Sequence, residues 1–88
     1  MTKTLLKKLD AWERELYKAL SKGKGKYSDY VVRDVWDYLK LVHIMKYRWN
    51  LSSSVRQMQS LLYKFDSVER DRIPRSVYNF LYHNGFEL

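Results

Sequence analysis

A small all-α fold, a bundle of three main helices plus a short C-terminal helix, is what this sequence predicts. Three observations carry the prediction. Apolar residues recur at three- and four-residue intervals along most of the chain, no segment alternates cleanly at period two, and the breaks between periodic stretches fall at Gly, Ser and Pro. A length of 88 residues suits one domain spanning 1–88, because a second core could not be built from what is left.

The first helix is read from Leu5, Leu9, Trp12, Leu16 and Leu20, one apolar stripe running to about Ser21. Lys3, Lys7, Arg14 and Lys18 fall mainly away from that stripe, and Asp10 is placed to pair with Arg14 at i,i+4. The segment 21–26 ends the helix, since Gly23 and Gly25 permit the geometry of a C-cap and loop. Ser28 or Asp29 caps a second helix reaching about Trp49. Val31, Val35, Leu39, Val42 and Trp49 form its first apolar line; Trp36, His43 and Tyr47 form a second. A helix apolar over so much of its circumference is expected to be central, with His43 packed or partly buried.

The third helix starts within Ser52, Ser53 and Ser54, three candidate N-caps, and its stripe is Val55, Met58, Leu62 and Phe65. The charged run 69–72 ends it. Pro74 suits the first turn of a short fourth helix, where its missing N–H costs nothing. Asn84 and Gly85 close that helix, and a Schellman-type end would bring Phe86 against Leu81.

Charge is concentrated at the amino-terminal end. Residues 1–26 hold eight of the 17 Lys and Arg and three of the ten acids, so they carry +5 of the net +7. Such asymmetry points to a polyanionic partner or a docking surface. The chain has no cysteine, hence no disulfide, thiol nucleophile or thiolate metal site, and a reducing cytoplasmic setting is the simplest expectation. The start is charged throughout and lacks the apolar run of a signal peptide. No stretch approaches a membrane span of ~18 apolar residues.

Catalytic chemistry finds little support. His43 and His83 are forty residues apart, with no acid in a recognisable pattern beside either. Asp34 and Asp37 share a helix face at i,i+3, which suits two carboxylates on one metal; the plainer reading is solvated acids beside Arg33 and Lys40. The loop's Gly-Lys-Gly-Lys lacks the spacing and the preceding strand of a phosphate-binding Walker loop. No enzyme, cofactor, metal or small-molecule substrate is expected. Aromatics are dense, at 16% of the chain. Most belong to a ring-rich core, but Tyr17, Tyr27, Tyr30, Tyr63 and Tyr82 exceed what a small bundle readily hides. Tyr and Trp near Arg, as at Tyr47, Arg48 and Trp49, anchor protein interfaces and stack on bases.

The segment from Ile73 to Phe86 is the nearest approach to a motif. Its Pro74-Arg75-Ser76-Val77-Tyr78 start, Leu81 and Asn84-Gly85 stop resemble a recognition helix of helix-turn-helix proteins, especially transposase-like and resolvase-like ones. That resemblance implies Val77 and Leu81 in the core and Arg75, Ser76, Asn79 and Tyr82 toward a DNA groove. It departs at 66–72, which lacks the small residue and Gly of a tight turn, and at Phe80. Asp71-Arg72-Ile73-Pro74, Ser76-Val77-Tyr78 and Phe80 also resemble the tail of the haemolysin-expression-modulator family, small helical partners of a nucleoid protein. That likeness covers about ten residues and assigns no family; a plain terminal packing helix reads the same way.

The leading expectation is a small basic non-enzymatic protein that binds nucleic acid, DNA before RNA, as a monomer or homodimer. Lys3, Lys7, Lys18, Lys22, Lys24 and Lys26 would grip phosphates, Arg75, Ser76 and Asn79 would touch base edges, and Tyr27, Tyr30 and Arg48 would contact the partner. The rival is a protein-binding regulator or inhibitor, of the kind phages and mobile elements use to block a host nucleic-acid machine, docking on an acidic protein surface. A third is a self-assembling subunit that buries the second helix's two apolar lines.

Overall fold

Helices account for all the regular structure in the computed structural model, which describes residues 1–22 and 32–88. Five occur in order: α1 (Lys3–Lys22), α2 (Val32–Tyr47), α3 (Ser52–Lys64), α4 (Ser67–Asp71) and α5 (Arg75–His83). The all-α expectation holds, with one helix more than the sequence pattern gave. The expected caps at Ser28 or Asp29, and the loop glycines, lie outside the described residues. Among the described residues, no helix is long and apolar enough to cross a membrane.

α1 is capped by Thr2, whose Oγ1 accepts from Leu5 N at 3.2 Å. Leu5, Leu9, Trp12 and Leu16 are buried as the stripe requires, each worth about 1.5–3 kcal/mol of transfer free energy. α1 packs against α2 and α5, and α2 against α3. Asp10 does not serve Arg14. Its Oδ1 lies 2.6 Å from Lys46 Nζ on α2, and Glu13 Oε1 lies 3.2 Å from the same nitrogen. A cross-helix ammonium held between two carboxylates outcompetes an exposed neighbour on the same helix.

α2 is central and buries its expected first line, of which Val31 lies outside the described residues, together with a further face that was not expected. Val35, Leu39 and Val42 are buried, joined by Tyr38, Leu41, Ile44 and Met45. Tyr38 is the core's pivot. Its ring lies 5.4 Å from that of Trp12 and 5.0 Å from that of Phe65, and its hydroxyl donates to the Glu69 carbonyl at 2.8 Å. The expected second line is on the outside: Trp36, His43 and Tyr47 are all exposed. α2 also stops at Tyr47, and Trp49 leaves the helix to pack on Phe80 and Phe86, at 5.2 and 5.9 Å between ring centroids. Tyr47, Arg48 and Trp49 therefore form no single cluster.

No serine side chain caps α3. Leu51 occupies the N-cap position, while Ser54 is buried and donates its hydroxyl to the Arg48 carbonyl across the α2–α3 turn. Met58, Leu62 and Phe65 are buried as expected and Val55 is exposed; Leu61 takes its place, because the buried arc follows Ser54, Met58, Leu61 and Phe65. The charged run is not the frayed end of α3. Asp66 Oδ1 accepts from Glu69 N at 2.9 Å and starts α4 as a separate turn. Pro74 sits at the N-cap of α5 rather than inside its first turn.

The close of α5 matches its sequence signature. Phe86 N donates to Leu81 O at 3.2 Å and Gly85 N to Tyr82 O at 3.1 Å, the two bonds of a Schellman motif, with Gly85 at φ +86°. Leu81 and Phe86 both join the buried cluster. Beyond the motif, Gln59 and Glu87 exchange two hydrogen bonds of 3.0 Å, and Tyr63 Oη donates to Glu87 Oε2 at 2.5 Å. The tail is thereby fastened along α3.

Candidate functional site

The residues singled out from sequence separate into four places. Lys3, Lys7 and Lys18 are exposed on α1, with Lys18 Nζ 3.4 Å from Glu15 Oε1. Lys24, Lys26, Tyr27 and Tyr30 lie outside the described residues, and Lys22 ends α1. Arg75, Ser76 and Asn79 are exposed on α5, while Val77 and Leu81 are buried, as the recognition-helix resemblance implies. The Arg75 guanidinium lies 5.8 Å from the Tyr78 ring centroid. Arg48 stands apart from all of these, in a groove between α2 and α3.

That groove gathers residues the linear pattern had scattered. Its volume is about 650 Å³. Leu39, Ile44 and Leu61, all buried, supply its apolar lining. Lys40 and Arg48 come from α2 and the turn after it, and Arg56 and Lys64 come from α3. Trp36, His43 and Tyr17 add rings, and Gln57 and Ser60 add neutral hydrogen-bonding groups. Among the described residues that line it there is no carboxylate.

The periodicities explain the convergence. Trp36, Lys40 and His43 recur at i, i+4 and i+7, one face of α2; Arg56, Ser60 and Lys64 recur at i, i+4 and i+8, one face of α3. When the two helices bury their apolar faces against each other, these flanking faces become the walls. The sequence signal for them was present in the charge of each helix face. Counting charge by segment hides it, since residues 27–51 and 52–88 each come to only +1.

The groove side chains are also available. Trp36 is 50% exposed, Tyr17 53%, and the Lys40 side chain 63%, with a loose contact of 3.8 Å to Asp37. Asp37 itself is buried, so the paired carboxylates Asp34 and Asp37 do not open together onto the surface. Among the described residues, no group of three or more His, Asp and Glu is arranged to hold a metal ion. His43 is exposed, its ring 5.2 Å from that of Tyr47. Arg48 Nε is buried without a hydrogen-bond partner. Tyr17 links the groove to a shallow hollow formed with Arg14, Lys18, Leu20 and Ser21, so the basic surface continues onto the end of α1.

No protein-family model, curated protein or solved structure matches the chain.

Proposed function

We propose that this is a small non-enzymatic nucleic-acid-binding protein whose principal interface is the α2–α3 groove. One observation carries the reading: Lys40, Arg48, Arg56 and Lys64 surround an apolar, ring-lined furrow to which no described residue contributes a carboxylate. A cationic furrow with exposed rings suits an anionic polymer that also offers flat apolar faces. The lysines of α1, reached through Tyr17 and Lys18, extend the phosphate-binding surface. The α5 face with Arg75, Ser76 and Asn79 is a separate polar edge, and its role in reading bases rests on the helix resemblance alone.

The test is fluorescence anisotropy of labelled DNA and RNA at about 50 and 200 mM salt. Wild-type protein binds, and affinity falls steeply between the two salts. The double substitution Arg56→Glu with Lys64→Glu weakens binding at least tenfold and lowers the log–log salt slope by roughly 1.4 on a single strand, about 0.7 for each lost phosphate contact. Unchanged affinity in the double variant overturns the groove assignment. Weak binding that disappears equally for every nucleic acid overturns the function and favours an acidic protein surface as partner.

A further inference from the structure

We infer that the groove takes a single strand, with a base stacked on Trp36 and the backbone held by cations from both walls. The inference rests on the nucleic-acid reading above and names the form of nucleic acid. Three features of the groove select that form over a duplex.

The first is width. Adjacent packed helices have axes ~8–10 Å apart, so the furrow between them admits a strand or a side-on base. A duplex is far wider and would rest on the rims, touching the cations but not the lining. The second is the lining itself. Its exposed part is aromatic, the half-exposed rings of Trp36 and Tyr17 beside buried Leu39, Ile44 and Leu61, whereas the faces of duplex bases are already covered by their neighbours. Only unstacked bases present flat apolar faces to such rings.

The third is Trp36. It stands half exposed on a helix whose other face builds the core, and among the described residues no ring packs on it. It lies one turn before Lys40 and two turns before His43 on the same face. A ring and a cation one turn apart match a base and its adjoining phosphate. On the walls, Lys40 and Arg48 are eight residues apart, as are Arg56 and Lys64. Arg56 and Lys64 both lie in α3, where eight residues span roughly 12 Å, enough for more than one phosphate on that side. The Arg48 guanidinium, which lines the groove, supplies planar donors at the other wall.

The experiment compares single strands and duplexes of equal length, at one salt concentration, with wild type, Trp36→Ala and Trp36→Phe. Single strands bind wild type at least tenfold more tightly than duplex. Trp36→Ala lowers single-strand affinity roughly 5- to 100-fold, the usual loss for one stacking platform, while Trp36→Phe retains most of it. Single-strand binding also quenches a component of the tryptophan emission that Trp36→Phe lacks. Melting curves of both variants stay close to wild type, because the side chain is half exposed. If duplex binds as tightly and Trp36→Ala leaves single-strand affinity intact, the single-strand inference falls while a phosphate-gripping groove stands. If no nucleic acid binds wild type, the function and the inference fall together.

Discussion

Two aromatic residues two positions apart on α2 do opposite work. Tyr38 has no exposed surface, touches the rings of Trp12 and Phe65, and ties α2 to α4 through the Glu69 carbonyl. Trp36 is half exposed and lines a cationic groove. Composition counts both as aromatic, and helical spacing alone makes either one a core residue. The difference is set by what flanks each. Tyr38 shares its face with Leu41, Val42 and Met45, whereas Trp36 shares its own with Lys40 and His43. A ring beside cations on a helix face is surface; a ring among aliphatics is core.

Stability measurements break this comparison most directly. Tyr38→Ala removes the central ring and one of the two donors to the Glu69 carbonyl, leaving only Arg72 N, so it should cost about 3–5 kcal/mol. Trp36→Ala should stay within about 0.5 kcal/mol of wild type, as surface changes do. Urea unfolding of the two variants checks both. Equal losses would mean that Trp36 belongs to the core and that the groove is a packing defect.

A smaller effect separates the buried cation of α2 from the groove cations. The Lys46 side chain is only 15% exposed, and Asp10 and Glu13 hold its ammonium well above the ordinary lysine range despite the opposing effect of burial. Its contribution to stability is present across neutral pH and is lost only at pH above the usual lysine value. Lys46→Ala should cost about 1–2 kcal/mol and leave nucleic-acid affinity unchanged. The groove substitutions Arg56→Glu and Lys64→Glu should do the reverse. A large loss of binding in Lys46→Ala at preserved fold would place the interface on the α1–α2 side instead.

Much of the fold was legible because it depends on local rules. The α1 stripe, the burial of Val77 and Leu81, and the Schellman end at Gly85 follow from periodicity and from one residue able to adopt positive φ. What was not legible depends on which helix meets which. Asp10 had two possible cations, and only the packing of α1 on α2 selects Lys46 over Arg14. Ser52, Ser53 and Ser54 are equal cap candidates by type, and only the tight turn after Arg48 brings a carbonyl to the Ser54 hydroxyl. α2 has apolar residues on several faces, and tertiary contact decides that Tyr38 goes in and Trp36 stays out. The groove was missed for the same reason. Its cations are dispersed from Lys40 to Lys64, whereas the lysines of α1 are denser in sequence but lie on the outer surface of a helix whose inner stripe is buried.

The smallest predicted effect lies where the inner face of α2 meets α4. Burial pushes the Glu69 carboxyl above the ordinary glutamate range, and the neighbouring carboxylates of Asp34 and Asp66 push it further. A raised folded-state value means that the native protein holds this proton more tightly than the unfolded chain. The associated stability is therefore full below the ordinary value of about 4 and is lost as pH rises through the raised one. At neutral pH the ionised group is a liability. Glu69→Gln keeps the backbone bonds to Tyr38 and Asp66 but removes that charge, so it should raise stability at pH 7 by less than about 1 kcal/mol. The gain should vanish near pH 4, where the wild-type group is itself neutral. Melting temperatures of both proteins from pH 4 to 7 give the difference for Glu69 and its coupling to Asp34 and Asp66, because the carboxylates that do not face it cancel. A variant less stable than wild type at pH 7 would show that Glu69 makes a favourable charge contact there, and that the Tyr38 end of α2 is held by more than its core ring and one hydroxyl.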